Sequence, residues 1–133
     1  MPPRIAQSSA RAAGFLFLLI SLGGFAERFL NHRNEVVPTD LYQDIGHLVM
    51  GAYVLSMGFK GESSSASALG ISAFLCASFA GLALYQLGDL DRAMIFEGTL
   101  RVSKMACWFH LGLALAQGAA AMMNTSKRQL LYE

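Results

Sequence analysis

The chain has 133 residues, of which 54% are hydrophobic and only 14% are charged, and its formal net charge is +1. Soluble domains carry about 25% charged residues, so ten basic and nine acidic side chains are too few to cover a soluble domain of this size. A disordered chain needs more charge, and a nucleic-acid-binding protein needs a basic excess. The composition therefore argues against these classes and favours a small integral membrane protein.

Four uncharged stretches separate the charged residues. They predict membrane-spanning helices at about residues 11–30, 41–60, 64–88 and 102–124. The last two stretches reach the roughly 20 residues that a spanning helix needs, and the shorter first stretch is flanked by Arg11 and Arg28, which can snorkel. A soluble helical bundle is the alternative. For the first stretch a signal peptide is a further alternative, but residues 23–27 make a poor cleavage site.

The connection between the third and fourth spans mixes apolar and charged residues. It carries Leu90, Met94, Ile95, Phe96 and Leu100 among six charged side chains. This mixture predicts a short amphipathic helix that lies in the headgroup region. The expected fold is therefore an all-α, single-domain membrane bundle of four transmembrane helices with this interfacial helix. Five basic residues flank the spans on each side, so the positive-inside rule assigns no orientation.

Small residues recur on the third and fourth spans at spacings that suit helix packing. Lipid tails give helices no hydrophobic reason to associate, so close contact at small residues must stabilise the bundle. The predicted packing positions are Gly70, Ala73, Ala77, Gly81, Gly112, Ala116, Gly118 and Ala120. They can serve a self-contained bundle, or some of them can face a partner subunit.

Two histidines, His47 and His110, fall within predicted spans. Ionisable groups at membrane depth are candidates for function. The second and fourth spans start on the same side of the bundle, so both histidines lie at similar depth, as two axial ligands of a b-type haem must. The alternative is that each histidine only hydrogen-bonds across the bundle. Cys76 and Cys107 are predicted to be small packing residues rather than a disulfide or metal site.

The first loop, residues 27–38, resembles a motif of the membrane-associated eicosanoid and glutathione metabolism proteins. The matching positions are Glu27, Arg28, His32 and Asn34, and the resemblance implies that they bind the glutathione peptide. The spacing is one residue shorter than in that family, the acidic residue Glu35 is out of register, and the long loop preceding the motif is missing. The alternative is a polar loop at the membrane rim with internal ion pairs.

The sequence contains no phosphate-binding loop, nucleophile elbow or zinc-ligand spacing. We therefore expect a non-catalytic accessory or assembly subunit of a larger membrane complex, without a cofactor. Its expected partners are other membrane subunits and lipids, not nucleic acid. The expected location is an energy-transducing membrane, with an organelle inner membrane such as that of the mitochondrion favoured over a bacterial or plasma membrane. The alternatives are a haem b redox subunit that uses His47 and His110, and a glutathione- or lipid-handling membrane enzyme.

Overall fold

The computed structural model describes residues 4–30, 41–95 and 100–129, with side chains described as far as residue 123. Within these residues the chain forms four helices and one short hairpin. The helices are α1 (Ile5–Leu30), α2 (Leu41–Lys60), α3 (Glu62–Leu87) and α4 (Lys104–Gln129), and the strands are β1 (Arg92–Ile95) and β2 (Leu100–Ser103). The expected helical bundle is confirmed.

Three of the four helices are long and apolar enough to cross a membrane. They are α1, α3 and the Lys104–Met123 part of α4. The 20-residue helix α2 does not meet the same measure, because Gln43, Asp44 and His47 fall within its first two turns. Its crossing of the membrane therefore stays a prediction.

The expected interfacial helix between α3 and α4 is wrong, because β1 and β2 pair there as antiparallel strands. The register places Ile95 opposite Leu100 and Ala93 opposite Val102. Ile95 and Val102 are buried in a cluster with the end of α3 and the start of α4, whereas Met94 is exposed. Apolar side chains on alternate residues of a strand share one face, and this pairing covers the bundle end with that face.

The helices pack as two antiparallel pairs, α1 with α2 and α3 with α4. Glycines bring α1 and α2 into backbone contact. A Cβ atom on Gly14 would lie 2.6 Å from the backbone nitrogen of Leu55, and one on Gly51 would lie 3.0 Å from the carbonyl oxygen of Gly14. Close approach at small residues is the packing expected between helices in a membrane, and here it involves α1 and α2.

The small residues singled out on α3 and α4 face two directions. Inward contacts involve Ala73, Ala77, Gly118 and Ala120. A Cβ atom on Gly70, Gly81 or Gly112 would meet no atom within 4 Å, and Ala116 is exposed. The structure therefore leaves part of the predicted packing surface uncovered by the described residues of this chain.

A single residue, Gly61, connects α2 to α3. Its φ of +149° lies in a region that favours glycine. The next residue, Glu62, accepts hydrogen bonds from the backbone N–H groups of Ala6 at 2.8 Å and Gln7 at 3.1 Å. The first turn of α3 thereby supplies a carboxylate to the N-terminus of α1, where both free N–H groups and the helix dipole favour an anion.

Candidate functional site

His47 of α2 and His110 of α4 meet inside the bundle. Each lies six residues after the start of its helix, and both helices start at the hairpin end. Their Nε2 atoms are 3.2 Å apart, and the residues are 9% and 7% exposed. The sequence placed the two histidines at similar depth, and the structure brings them into direct contact.

The two imidazole rings meet through their Nε2 edges. The ring planes are 17° from parallel and the ring centroids are 5.4 Å apart. The centroids are thus much farther apart than the Nε2 atoms, which would not be so if one ring lay over the face of the other. Both Nε2 atoms point into the same short interval between α2 and α4.

Hydrogen bonding defines the protonation of this pair. The Nδ1 atom of His110 lies 2.7 Å from the carbonyl oxygen of Ala106, which can only accept, so Nδ1–H donates. In a neutral imidazole the Nε2 atom of His110 is then an acceptor, and it receives the Nε2–H of His47. The Nδ1 atom of His47 is buried and has no hydrogen-bond partner among the described residues.

Aromatic rings hold the histidines in place. Phe17 of α1 lies 5.7 Å from His47, with ring planes 21° apart. Phe79 of α3 is tilted against His110 at 5.3 Å, and Phe109 meets the same ring edge-on at 6.0 Å. These contacts come from elements that flank the histidine pair on different sides, so the two rings have little freedom to turn.

A cavity of about 270 Å³ lies beside the histidine pair. Helices α2 and α3 supply most of its wall, and β2 adds Leu100. The lining residues are Phe17, Tyr42, Gln43, Gly46, His47, Met50, Leu75, Cys76, Phe79, Leu100 and His110. Gly46 precedes His47 on this wall, and a Cβ atom there would meet no atom of the described residues within 4 Å. The site therefore combines two aligned imidazoles with an adjoining, mostly apolar space.

Asp44 anchors the first turn of α2, one turn before His47. Its carboxylate is fully buried and pairs with Arg28 at 3.1 Å, while its carbonyl oxygen accepts a hydrogen bond from Ser21 at 2.8 Å. This anchor could not be predicted, because the sequence does not show that Asp44 lies next to α1. Gly24 is the sequence feature related to this anchor, because it has no side chain and lies against the carboxylate.

The residues that resemble the glutathione motif are only partly described. Glu27 and Arg28 lie in the last turn of α1, and Arg28 is engaged by Asp44. His32 and Asn34 lie outside the described residues. The two cysteines are free and buried: Cys76 lines the cavity, and Cys107 packs beneath the hairpin.

The two imidazoles are the candidate metal ligands of this site. Among the described residues no group of three or more His, Cys, Asp and Glu side chains is placed to bind a metal ion. Zinc requires three or four protein ligands, whereas haem iron takes four nitrogens from the porphyrin and leaves only two axial positions for protein side chains. The two facing imidazoles match this number of axial ligands.

The distance between the imidazoles can be compared with that requirement. An imidazole nitrogen lies about 2.0–2.1 Å from a first-row metal such as zinc, so a metal held in line between two imidazoles separates the nitrogens by about 4 Å. The observed distance between the two Nε2 atoms is 3.2 Å, which is less than 1 Å shorter than this ligated distance. Ligation would therefore require α2 and α4 to move apart, and a porphyrin would also need space beside Phe17 and Phe79, which contact the imidazoles.

Comparison of the chain with protein-family models, with curated proteins and with solved structures gives no match.

Proposed function

We propose that this protein is a small membrane protein that binds one haem b between His47 and His110 and carries single electrons. The observation that carries the proposal is the alignment of the two Nε2 atoms, 3.2 Å apart and facing each other from different helix pairs. Facing helices of a bundle are where such proteins place cofactor ligands. A haem held by His47 and His110 would supply one-electron redox chemistry at this site.

The hydrogen bond from His110 to Ala106 supports the same proposal. Metal-ligating histidines usually donate their second ring N–H to a carbonyl or carboxylate, which fixes the tautomer and leaves the other nitrogen free to bind the metal. His110 has this arrangement through its 2.7 Å bond. The lone pair of its Nε2 atom is therefore directed at the interval where the iron would lie.

Exposed aromatic residues support the proposal that the bundle, α2 included, crosses a membrane. Tyr42, Tyr85 and Trp108 are all largely exposed, and all lie near the hairpin end of their helices. Tyrosine and tryptophan at one level of a bundle are typical of a membrane–water interface. The histidines would then lie just inside the hydrocarbon region. An energy-transducing membrane, such as an organelle inner membrane, is the proposed location.

The test is haem reconstitution of the detergent-solubilised protein. We expect the wild type to bind one haem with a Soret band and a six-coordinate, low-spin spectrum. His47→Ala and His110→Ala should each give a five-coordinate, high-spin spectrum, and the double variant should lose binding. His32→Ala, which changes the third histidine of the chain, is the matched control and should keep the wild-type spectrum. A wild type without a Soret band, or low-spin spectra in both single variants, would overturn the proposal.

An accessory-subunit role is the second candidate, and the outward-facing glycines favour it. A Cβ atom added to Gly70, Gly81 or Gly112 would have no neighbour within 4 Å in the part of the chain that the structure describes. Small residues on an outer helix face allow another helix to approach closely. Mild-detergent extraction followed by native electrophoresis tests this role: migration only as a 14.3 kDa monomer would contradict it, whereas a larger complex lost in Gly81→Leu would support it.

A glutathione-handling role is the third hypothesis, and it rests on the loop resemblance alone. It predicts that Arg28→Ala abolishes glutathione binding. Since Arg28 also pairs with Asp44, the folded state of that variant is to be checked by circular dichroism. Absence of glutathione binding in the wild type would dispose of the hypothesis.

A further inference from the structure

A second cavity, of about 250 Å³, lies between α1 and α4. Its lining residues are Ser9, Ala12, Ala13, Leu16, Leu113, Ala116 and Gln117, none of which lines the histidine cavity. Ala12, Leu16 and Ala116 are exposed, whereas Ala13 and Gln117 are buried. The cavity therefore has its mouth on the outer face of the bundle and Gln117 at its base.

Gln117 has an unsatisfied side chain. The residue is 3% exposed, and neither its Nε2 nor its Oε1 atom has a hydrogen-bond partner in the described part of the chain. Buried polar groups are almost always hydrogen-bonded, because burial removes them from water without replacement. Gln117 also lines the cavity, so a ligand in that space with a polar group would satisfy the amide.

Water alone does not fit this cavity well. A water molecule takes up about 30 Å³ in the liquid and needs two to four polar partners to be held in a protein. Several waters would be needed to fill the space, but among the described residues that line it only Ser9 and Gln117 have polar side chains. A mostly apolar molecule with one polar group matches the lining better.

We propose that this cavity binds the ring of a lipid-soluble quinone or quinol, with Gln117 as its hydrogen-bonding residue. A cavity of about 150 Å³ accommodates benzene, so a substituted six-membered ring fits. The alanines at positions 12, 13 and 116 line the cavity with methyl groups only, which leave space for a planar ring. A glutamine amide has both a donor and an acceptor. It can donate to the carbonyl of the quinone or accept from the hydroxyl of the quinol.

The proposed ring site lies on the same helix as one of the histidines. Gln117 follows His110 by seven residues, so the two share a face of α4 and are separated by about 10 Å along the helix axis. A quinone-class ligand here would lie close to the histidine pair. Binding of the ring does not itself depend on haem, so the two proposals can fail separately.

The test measures binding of a benzoquinone with a ten-carbon tail to the detergent-solubilised protein by isothermal titration calorimetry. We expect saturable binding of one molecule. Gln117→Leu should weaken it by about three- to tenfold, as expected for loss of one neutral hydrogen bond. Ala116→Phe, which fills the cavity mouth, should abolish binding. Ala119→Phe, an exposed position outside the cavity lining, is the matched control and should bind like the wild type.

Two further arms separate the alternatives. Decanol carries the same tail without the ring, so it should bind much more weakly than the benzoquinone. Equal binding of decanol, or wild-type affinity in both Gln117→Leu and Ala116→Phe, would overturn the proposal. The variant with both His47→Ala and His110→Ala should still bind the benzoquinone. This result would hold even if haem reconstitution fails, and so it distinguishes failure of the ring site from failure of the haem site.

Discussion

Gly24 of α1 lies directly against the carboxylate of Asp44. The Asp44 side chain is fully buried between α1 and α2, and its partner Arg28 keeps 39% of its side chain exposed. Gly24 lies so close to the carboxylate that any Cβ atom at this position would overlap it. A buried carboxylate is stable only while its charge partner and its packing are kept. Glycine at position 24 is therefore required for the Asp44 carboxylate to occupy its place beside Arg28.

Replacement of this glycine should destabilise the protein. Gly24→Ala should lower the free energy of unfolding by about 1–3 kcal/mol, because the added methyl group forces the carboxylate away from Arg28. Gly23→Ala is the matched control, since a Cβ atom there meets nothing within 4 Å. It should be neutral or stabilising by up to about 1 kcal/mol. Chemical denaturation in detergent measures both, and equal stabilities of the two variants would contradict the assigned contact.

The residues of the site differ in how far the sequence could predict them. The depth of His47 and His110 follows from counting residues from the ends of uncharged stretches, which requires no knowledge of neighbours. Their 3.2 Å contact could not be predicted, because it depends on which helices pack together. Gly14, Gly24 and Gly51 were missed for the same reason: a glycine marks close approach only once the opposing residue is known.

The hairpin of β1 and β2 is the element that closes one end of the bundle. Its buried face packs on Ala83, Leu87 and Cys107, and the N–H of Lys104 donates to the carbonyl oxygen of Asp91 at 2.9 Å. These contacts join the end of α3 to the start of α4. Since Leu100 also lines the histidine cavity, the hairpin positions one wall of the candidate site.

The two faces of β1 should respond differently to truncation. Ile95 is 3% exposed, so Ile95→Ala should cost about 2 kcal/mol or more through lost burial and the cavity left behind. The adjacent Met94 is half-exposed, and Met94→Ala should change stability by less than about 0.5 kcal/mol. Thermal unfolding followed by circular dichroism measures both variants. A larger loss in Met94→Ala would mean that the strand faces the other way.

The sequence between α3 and α4 fits both a helical and a strand periodicity, which explains why the predicted interfacial helix is wrong. Leu90 and Met94 are four residues apart, as on one face of a helix, and the charges between them complete an amphipathic pattern. In a strand, by contrast, alternate residues share a face, and Ile95 and Val102 each lie on the buried face of their strand. The strand pattern prevails where a hairpin can place both side chains against α3 and α4, a contact that local sequence does not reveal.

The α2–α3 turn acts on a third helix through Glu62. Glu62→Gln should remove the negative charge from the N-terminus of α1 and weaken its hydrogen bonds to Ala6 and Gln7. The expected cost is about 0.5–2 kcal/mol, the range for loss of an N-terminal cap. Hydrogen exchange at the amides of Ala6 and Gln7 should accelerate, whereas Lys60→Gln in the same turn should leave it unchanged. Unaltered exchange in Glu62→Gln would contradict the capping role.

At the level of the whole molecule, the proposed haem would add a connection between the two helix pairs. The α1–α2 pair supplies His47 and the α3–α4 pair supplies His110. A ligand that binds both pairs stabilises only the arrangement in which they are docked. At a free concentration one hundred times its dissociation constant, such a ligand adds about 2.7 kcal/mol to the stability of the folded state.

Haem addition should therefore raise the thermal midpoint of the detergent-solubilised protein by several degrees. The double variant of His47→Ala and His110→Ala should show no such rise, and His32→Ala should behave like the wild type. Differential scanning fluorimetry gives the midpoints as a function of haem concentration. A concentration-dependent rise of equal size in the double variant would indicate non-specific binding of haem to the bundle or micelle.

The helical class of the molecule could be predicted because membrane length and charge placement act on each segment alone. The docking of α1 on α2 and of α3 on α4 could not, because small residues occur on all of these helices and any pair of faces satisfies the same rule. The uncovered glycines at positions 70, 81 and 112 show that a small-residue pattern does not state which surface it serves.

The division of the histidine pair between two helix pairs also determines when, during synthesis of the chain, both histidines become available. His47 belongs to α2 and His110 to α4, so a growing chain holds both imidazoles only after α4 has been made. A chain interrupted after α3 would have one ligand and no facing partner. Loading of the proposed haem, or of any group held by both histidines, would therefore have to wait until α4 has been made and has packed against α2.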